Sequence, residues 1–241
     1  MGKDLAFALH LADSADALTM PRFRAPDLHV DTKPDLTPVS DADRTVERAL
    51  RELVARGRPG EGVYGEEEGD DGTETRWIVD PIDGTRNFLR GIPVWATLVA
   101  LERDGRVVCG VASAPALGRR WWASAGEGAW CDGERIRVSA VAALADATVS
   151  CTYARDLAAV ETRVWHARGL GDFWQHVLVA EGAVDAAIDA ELKLWDYTAL
   201  ALIVEEAGGR TTALDGAAPR PGEQVVSSNG SVHDELLAAI L

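Results

Sequence analysis

The chain has 241 residues, of which 47% are hydrophobic and 26% charged; that suffices for one large domain or two lobes sharing a site, and excludes a disordered chain. A net charge of −15 argues against a nucleic-acid-binding surface, which is normally basic; an anionic substrate would need local positive charge, and bound metal ions are one source. Cys109, Cys131 and Cys151 are too few and too widely spaced for a disulfide framework or a zinc cluster, and read as reduced, buried thiols.

The N-terminus carries Asp4, Asp13 and Asp16 and lacks a signal peptide's apolar stretch. No segment approaches the roughly 20 apolar residues of a bilayer span, so a cytoplasmic protein with no membrane partner is expected. Leu5, Ala8, Leu9, Ala12, Ala15 and Leu18 recur at helical spacing and predict a helix over 4–24. Residues 26–38 read as a loop or hairpin. Ser40 or Asp41 caps a second amphipathic helix. Trp77-Ile78-Val79 is a short apolar strand running into Asp80, and 93–101 with 106–114 form an antiparallel pair joined at Asp104-Gly105. Trp121–Ala123 and Arg135–Val138 suggest further strands. Then follow a strand at Val149–Thr152, a helix over 155–168, a helix over 172–182, a strand near Ala186–Ile188, and a strong helix, LWDYTALALIVEEAGG, stopped at Gly208. Val225–Ser227 and HDELLAAIL close the chain. This interleaving suggests a layered α+β fold rather than a doubly wound parallel sheet.

Asp80-Pro81-Ile82-Asp83-Gly84-Thr85 is the most informative segment. Two carboxylates follow a buried strand, Pro81 stiffens the turn and Gly84 permits a tight bend. Such a turn can aim Asp80, Asp83 and the Ile82 carbonyl into one pocket, a hard-oxygen donor set that suits magnesium. The Thr85 helical turn would place N–H groups beside it for an anion. Spacing alone equally allows a loop with two solvated aspartates; the wider context favours the site. Upstream, one glutamate of Gly65-Glu66-Glu67-Glu68 is placed to bridge metals, whereas Glu68, Asp70 and Asp71 read as solvated. Asp196 at the start of the long helix fits an N-terminal cap, a metal ligand, or both.

GEE, WIVDPIDGTRNF and LWDYTALALIVEEAGG together resemble the inositol-monophosphatase family of magnesium-dependent phosphatases, over nearly the whole chain. The resemblance implies a layered α-β-α-β-α sandwich, a single domain over 1–241 with lobes of about 1–145 and 146–241, and the site between them. It implies two or three Mg2+ held by Glu66, Asp80, the Ile82 carbonyl, Asp83 and Asp196, with Glu66 also orienting water and Gly84 and Thr85 holding phosphate. Asp43 in VSDADR would pair with the Thr85 hydroxyl and help deprotonate the attacking water. The implied partner is a small phosphate monoester, and the implied assembly a homodimer. Glu68 stands where the family usually has a small residue or aspartate and Thr198 where it usually has alanine; neither change removes a ligand.

TKPDLTPVSDADR, GIPVWATLVALERDG, SAPALGRRWWASAGEGAW and RGLGDFWQHVLVAEGAVD resemble the histidinol-phosphatase branch of that family. Asp172 falls where inositol-cleaving relatives tend to have alanine. A carboxylate there would pair with the ammonium of histidinol phosphate, although Asp172 also reads as a helix cap. Asp189 aligns with a glutamate that contacts substrate hydroxyls, and Arg168 is placed to organise both acids. Inositol 1-phosphate is the alternative substrate. Trp121, Trp122 and Trp174 read as core or interface.

Overall fold

The computed structural model describes residues 2–34 and 36–240; Met1, Asp35 and Leu241, the last within the segment read as the C-terminal helix, lie outside the described residues. The chain runs through α1 (Lys3–Thr19), a hairpin of β1 (Val30–Thr32) and β2 (Pro38–Ser40), α2 (Asp41–Gly57), β3 (Gly62–Gly65), β4 (Gly69–Asp70), β5 (Thr75–Asp83), α3 (Thr85–Arg90), β6 (Ala96–Arg103), β7 (Arg106–Ala114), β8 (Arg119–Ser124), β9 (Gly128–Cys131) and β10 (Glu134–Arg135). It continues with β11 (Thr148–Cys151), α4 (Ala154–Val160), β12 (His166–Arg168), α5 (Asp172–Ala180), β13 (Ala186–Leu192), α6 (Leu194–Glu206), β14 (Arg210–Ala213), β15 (Glu223–Ser228) and α7 (His233–Ile240).

Two sheets result. The first has the order β10-β9-β8-β7-β6-β5-β3-β4, antiparallel except for the parallel pair β3 and β5. The second has the order β12-β11-β13-β15-β14. α1 and α2 cover the outer face of the first sheet, where Leu11, Val46 and Leu50 meet Trp77, Val99 and Leu101. α5 and α6 fill the space between the sheets, with Phe173, Val177 and Ile203 against Ile78, Leu98 and Trp121. α4 and α7 cover the far face of the second sheet through Val160 and Leu236. The result is the five-layered α-β-α-β-α arrangement. It explains why β6 reads ATLVAL, apolar without alternation: Leu98 and Ala100 face α6 while Val99 and Leu101 face the α1–α2 layer, so both faces are covered.

Local sequence accounts for most boundaries. α1 stops at Thr19, short of the predicted residue 24, because Pro21 has no N–H with which to continue the ladder. α2 starts in a capping box, with Ala42 N–H donating to Ser40 Oγ and Ser40 N–H donating to Asp43 Oδ2 at 2.8 Å. Asp104 and Gly105 both adopt positive φ, 52° and 69°, as a two-residue hairpin with native twist demands. The helix predicted over 155–168 is corrected: α4 ends at Val160, and His166–Arg168 instead pairs parallel with β11. Thr162, Val164 and Trp165 are weak helix formers, and the free edge of β11 offers the following His166–Arg168 a ladder. Beyond Arg135 the predicted strand ends, and Val138 N–H bonds to Ala207 O. No helix among the described residues is long and apolar enough to cross a membrane.

Candidate active site

β5 does not end at Asp80 but continues to Asp83 through a bulge. Asp80 pairs with Leu98 and Asp83 with Ala96, so two residues of β5 stand against one of β6. In a regular strand residues three apart point to opposite faces; the extra residue cancels that parity and turns both carboxylates the same way. Pro81 suits the bulge, having no N–H to leave unpaired, and its carbonyl accepts from buried Thr97 Oγ1 at 2.8 Å. Ile82 N–H donates to Asp80 Oδ1 at 2.9 Å. Gly84 then turns the chain into α3 at φ 81°, where a Cβ would lie 3.1 Å from Val94 O and 3.4 Å from Asp172 Oδ2.

Two more elements converge here. Asp196 lies in the first turn of α6, where its Oδ2 accepts from Lys193 N–H at 2.6 Å, and Trp195 packs edge-on against Tyr64 of β3. Asp83 Oδ2 accepts from Phe173 N–H of α5 at 2.6 Å, which ties the end of β5 to the middle layer. Asp80, Asp83 and Asp196 each bring a carboxylate oxygen within 4.8 Å of the others. Glu66 follows β3, and its Oε1 lies 2.7 Å from Lys33 Nζ, which also reaches Glu67 Oε1 at 2.6 Å. Lys33 is a site neighbour that the sequence does not reveal, since the hairpin that brings it in is a tertiary feature.

The electrostatics describe an acidic centre short of a counter-charge. Burial, then the neighbouring Glu66, Asp83 and Asp196, push the Asp80 carboxyl well above its usual range. Burial, Asp172 and Asp196 do the same to Asp83 against the opposing Phe173 N–H. Burial lifts Asp196 to about 7 and Asp43 to about 6. Burial alone would lower the Lys33 ammonium, but Glu66 and Glu67 reverse this and hold it above its usual range. Like-charged carboxylates packed this closely resist ionising together. A cation removes that penalty, and an all-oxygen donor set fits a hard divalent ion.

Asp43 is buried on α2. Its Oδ2 accepts from Ser40 N–H and Oγ, and its Oδ1 has no partner among the described residues. The Thr85 hydroxyl donates to the Ile82 carbonyl at 3.0 Å rather than to Asp43, so the expected Asp43–Thr85 hydrogen bond is absent. Asp172 is the first residue of α5, following the cap residue Gly171, and adopts φ 49°; it is therefore not the cap. Asn87 Nδ2 holds Asp172 Oδ2 at 2.9 Å, a contact across 85 residues that no local pattern reveals. Burial and then Asp189 lift Asp172 to about 6. Asp189 is only 4% exposed and accepts from Gln175 Nε2 and its neighbour Ala190 N–H, so it acts on the site through its field. The expected role of Arg168 is corrected: it lies exposed on edge strand β12, bonds to Ala167 O, and forms no ion pair with Asp172 or Asp189 among the described residues. Trp121 and Trp174 pack in the middle layer and Trp122 against the outer one. The three cysteines are buried, with thiols pushed up to about 12 by burial, and so are not nucleophiles.

A layered phosphatase is the class that this fold and this acidic centre define. The sequence model of the inositol monophosphatase family matches residues 3–241, and the chain belongs to that family. It is 52% identical to the histidinol-phosphatase of Mycobacterium tuberculosis, over 98% of this chain and 97% of the relative, and 48% identical to that of Streptomyces coelicolor, over 97% and 95%. The solved inositol monophosphatase of Thermotoga maritima superposes with a TM-score of 0.93 at 32% identity, covering 99% of this chain and 97% of that one. The chain is a phosphoric monoester hydrolase.

Proposed function

We propose that this phosphatase hydrolyses L-histidinol phosphate to L-histidinol and phosphate, as a step of histidine biosynthesis in the cytoplasm, and that it works as a homodimer. The observation that carries the substrate is the place of the Asp172 carboxylate: its Oδ2 lies against the Gly84 turn and is held by Asn87 Nδ2 at 2.9 Å, beside Asp83, whose proton affinity it raises. Negative charge at that spot favours an ammonium over a neutral polyol, which can offer it only hydroxyl hydrogen bonds. The relatives named histidinol-phosphatase support the same reading.

In this reading Glu66, Asp80, the Ile82 carbonyl, Asp83 and Asp196 hold Mg2+. Magnesium bound there supplies positive charge against the phosphate dianion and acidifies water. Gly84 and Thr85 receive the phosphate, and the left-handed Gly84 lets the backbone approach closely. Thr85 takes a proton from the attacking water and gives up its own to the unpartnered Asp43 Oδ1, which requires its hydroxyl to turn away from the Ile82 carbonyl. Asp172 draws the substrate amine, and Asn87 fixes which of its oxygens is free to do so.

Asp172→Asn tests the specificity. Asparagine tolerates the left-handed backbone at 172 and keeps an oxygen for Asn87. A charge-assisted hydrogen bond contributes roughly 1.5–3 kcal/mol, so KM for histidinol phosphate should rise about tenfold to a hundredfold. Turnover of glycerol phosphate should barely change. Equal losses on the two esters would mean that Asp172 supports the loop and does not read the amine.

A further inference from the structure

Among the residues buried on α2, Glu47 stands out. It is 0% exposed among Ala42, Val46, Leu50 and Val54, a place where a carboxylate is costly unless it is paired. One partner is Arg51, one turn on, whose Nε and Nη2 reach Glu47 Oε1 at 3.0 and 2.9 Å. The other partners are backbone: Glu67 N–H donates to Oε2 at 2.7 Å and Glu68 N–H to Oε1 at 2.9 Å. These are the two amides that directly follow Glu66. Arg51 completes the clamp by donating to Gly69 O at 2.5 Å and to Asp71 Oδ1 at 2.8 Å, on the returning side of the same turn.

A second, independent feature ties Glu47 to this turn. A Cβ on Gly65 would lie 2.3 Å from the Glu47 carboxyl carbon. The residue before Glu66 is therefore glycine because the Glu47 carboxylate occupies the space where its side chain would be. An apolar side chain at 47 could fill the core equally well but would leave two amides without an acceptor. The requirement is for a negatively charged acceptor beneath the turn.

From these contacts we infer that Glu47 is the positioning residue of Glu66: it fixes the backbone of the Gly65–Glu68 turn so that the Glu66 carboxylate is presented to the metal site. Glu47 lies one helical turn after Asp43, so α2 sets the place of both acids at once. The inference rests on the reading of Glu66 as a metal ligand.

The test is direct binding of Mg2+ to the whole protein by calorimetry, beside the Mg2+ dependence of turnover. Glu47→Gln keeps the volume but turns an N–H toward an N–H or toward Arg51. It should weaken Mg2+ binding about 10- to 100-fold, as loss of groups that orient ligands does, and turnover should recover at high Mg2+. Gly65→Ala leaves both Glu47 and Arg51 in the chain but drives a methyl into the Glu47 carboxylate, and should reproduce the defect, which covers the case in which Glu47→Gln does not fold. The double variant should be less impaired than the two effects added, because both act on one contact. Wild-type Mg2+ affinity in both single variants, with weak binding in Glu66→Gln, would overturn the positioning role alone. Unchanged affinity in Glu66→Gln as well would overturn the ligand reading beneath it.

Discussion

Asp80→Asn is expected to lower turnover by several orders of magnitude while leaving the fold intact. The fold is spared because the hydrogen bond that the Asp80 side chain makes among the described residues, accepting from Ile82 N–H at 2.9 Å, is available to the asparagine oxygen. The activity is lost because the central negative charge among Glu66, Asp83 and Asp196 is gone. The same substitution should change stability in the opposite direction. The Asp80 carboxyl holds its proton more tightly in the folded protein than in the unfolded chain. Its contribution to stability is therefore present at low pH and lost as pH rises through the raised value. Asparagine has no proton to lose. In chelator near pH 8 the variant should melt at or above the wild-type temperature, and added Mg2+ should raise the wild type more than the variant. Activity above a tenth of wild type would contradict the assignment of Asp80.

The second large effect is expected at Thr85. Thr85→Ala should slow kcat by about 10²–10⁴-fold, the usual range for a general-base contribution, with little change in KM, and Thr85→Ser should restore most of it. The difficulty is that Thr85 hydrogen-bonds to Ile82 O, while Asp43 is engaged with Ser40 in the α2 capping box. Two roles for Asp43 thus compete, and kinetics separates them. If Asp43 takes the proton through Thr85, Asp43→Asn should cost as much in kcat as Thr85→Ala, and the double variant should fall no further. If Asp43 only closes the capping box, Asp43→Asn should cost up to about 1 kcal/mol of stability and leave kcat alone. Unchanged kcat in Thr85→Ala would remove the dyad without touching the metal ligands.

What could be read from the sequence divides along the range of the interactions. The layering was legible because periodicity is local: the Leu5–Ala15 stripe and the uninterrupted ATLVAL of β6 each follow from what covers them. Asp80 and Asp83 stood out as DPIDGT, but the bulge that aligns them was not visible, since it exists only in the register between β5 and β6. Lys33 against Glu66, Asn87 against Asp172 and Glu47 beneath Glu67 join residues 20 to 85 positions apart, and no local pattern announces such pairs. Arg168 is only four positions from Asp172 in the chain, yet the parallel strand β12 carries it to an exposed edge, away from the role expected of it. β12 itself escaped notice because three edge residues hold no periodicity of their own, only the open ladder of β11.

The most direct test is phosphate release by the purified protein from L-histidinol phosphate and from inositol 1-phosphate, each with Mg2+ and after chelation. The expected result is a much higher kcat/KM for histidinol phosphate and loss of both activities in chelator. Undiminished turnover in chelator would contradict the metal chemistry of the Asp80–Asp83–Asp196 centre, and a higher kcat/KM for inositol 1-phosphate would contradict the assigned substrate.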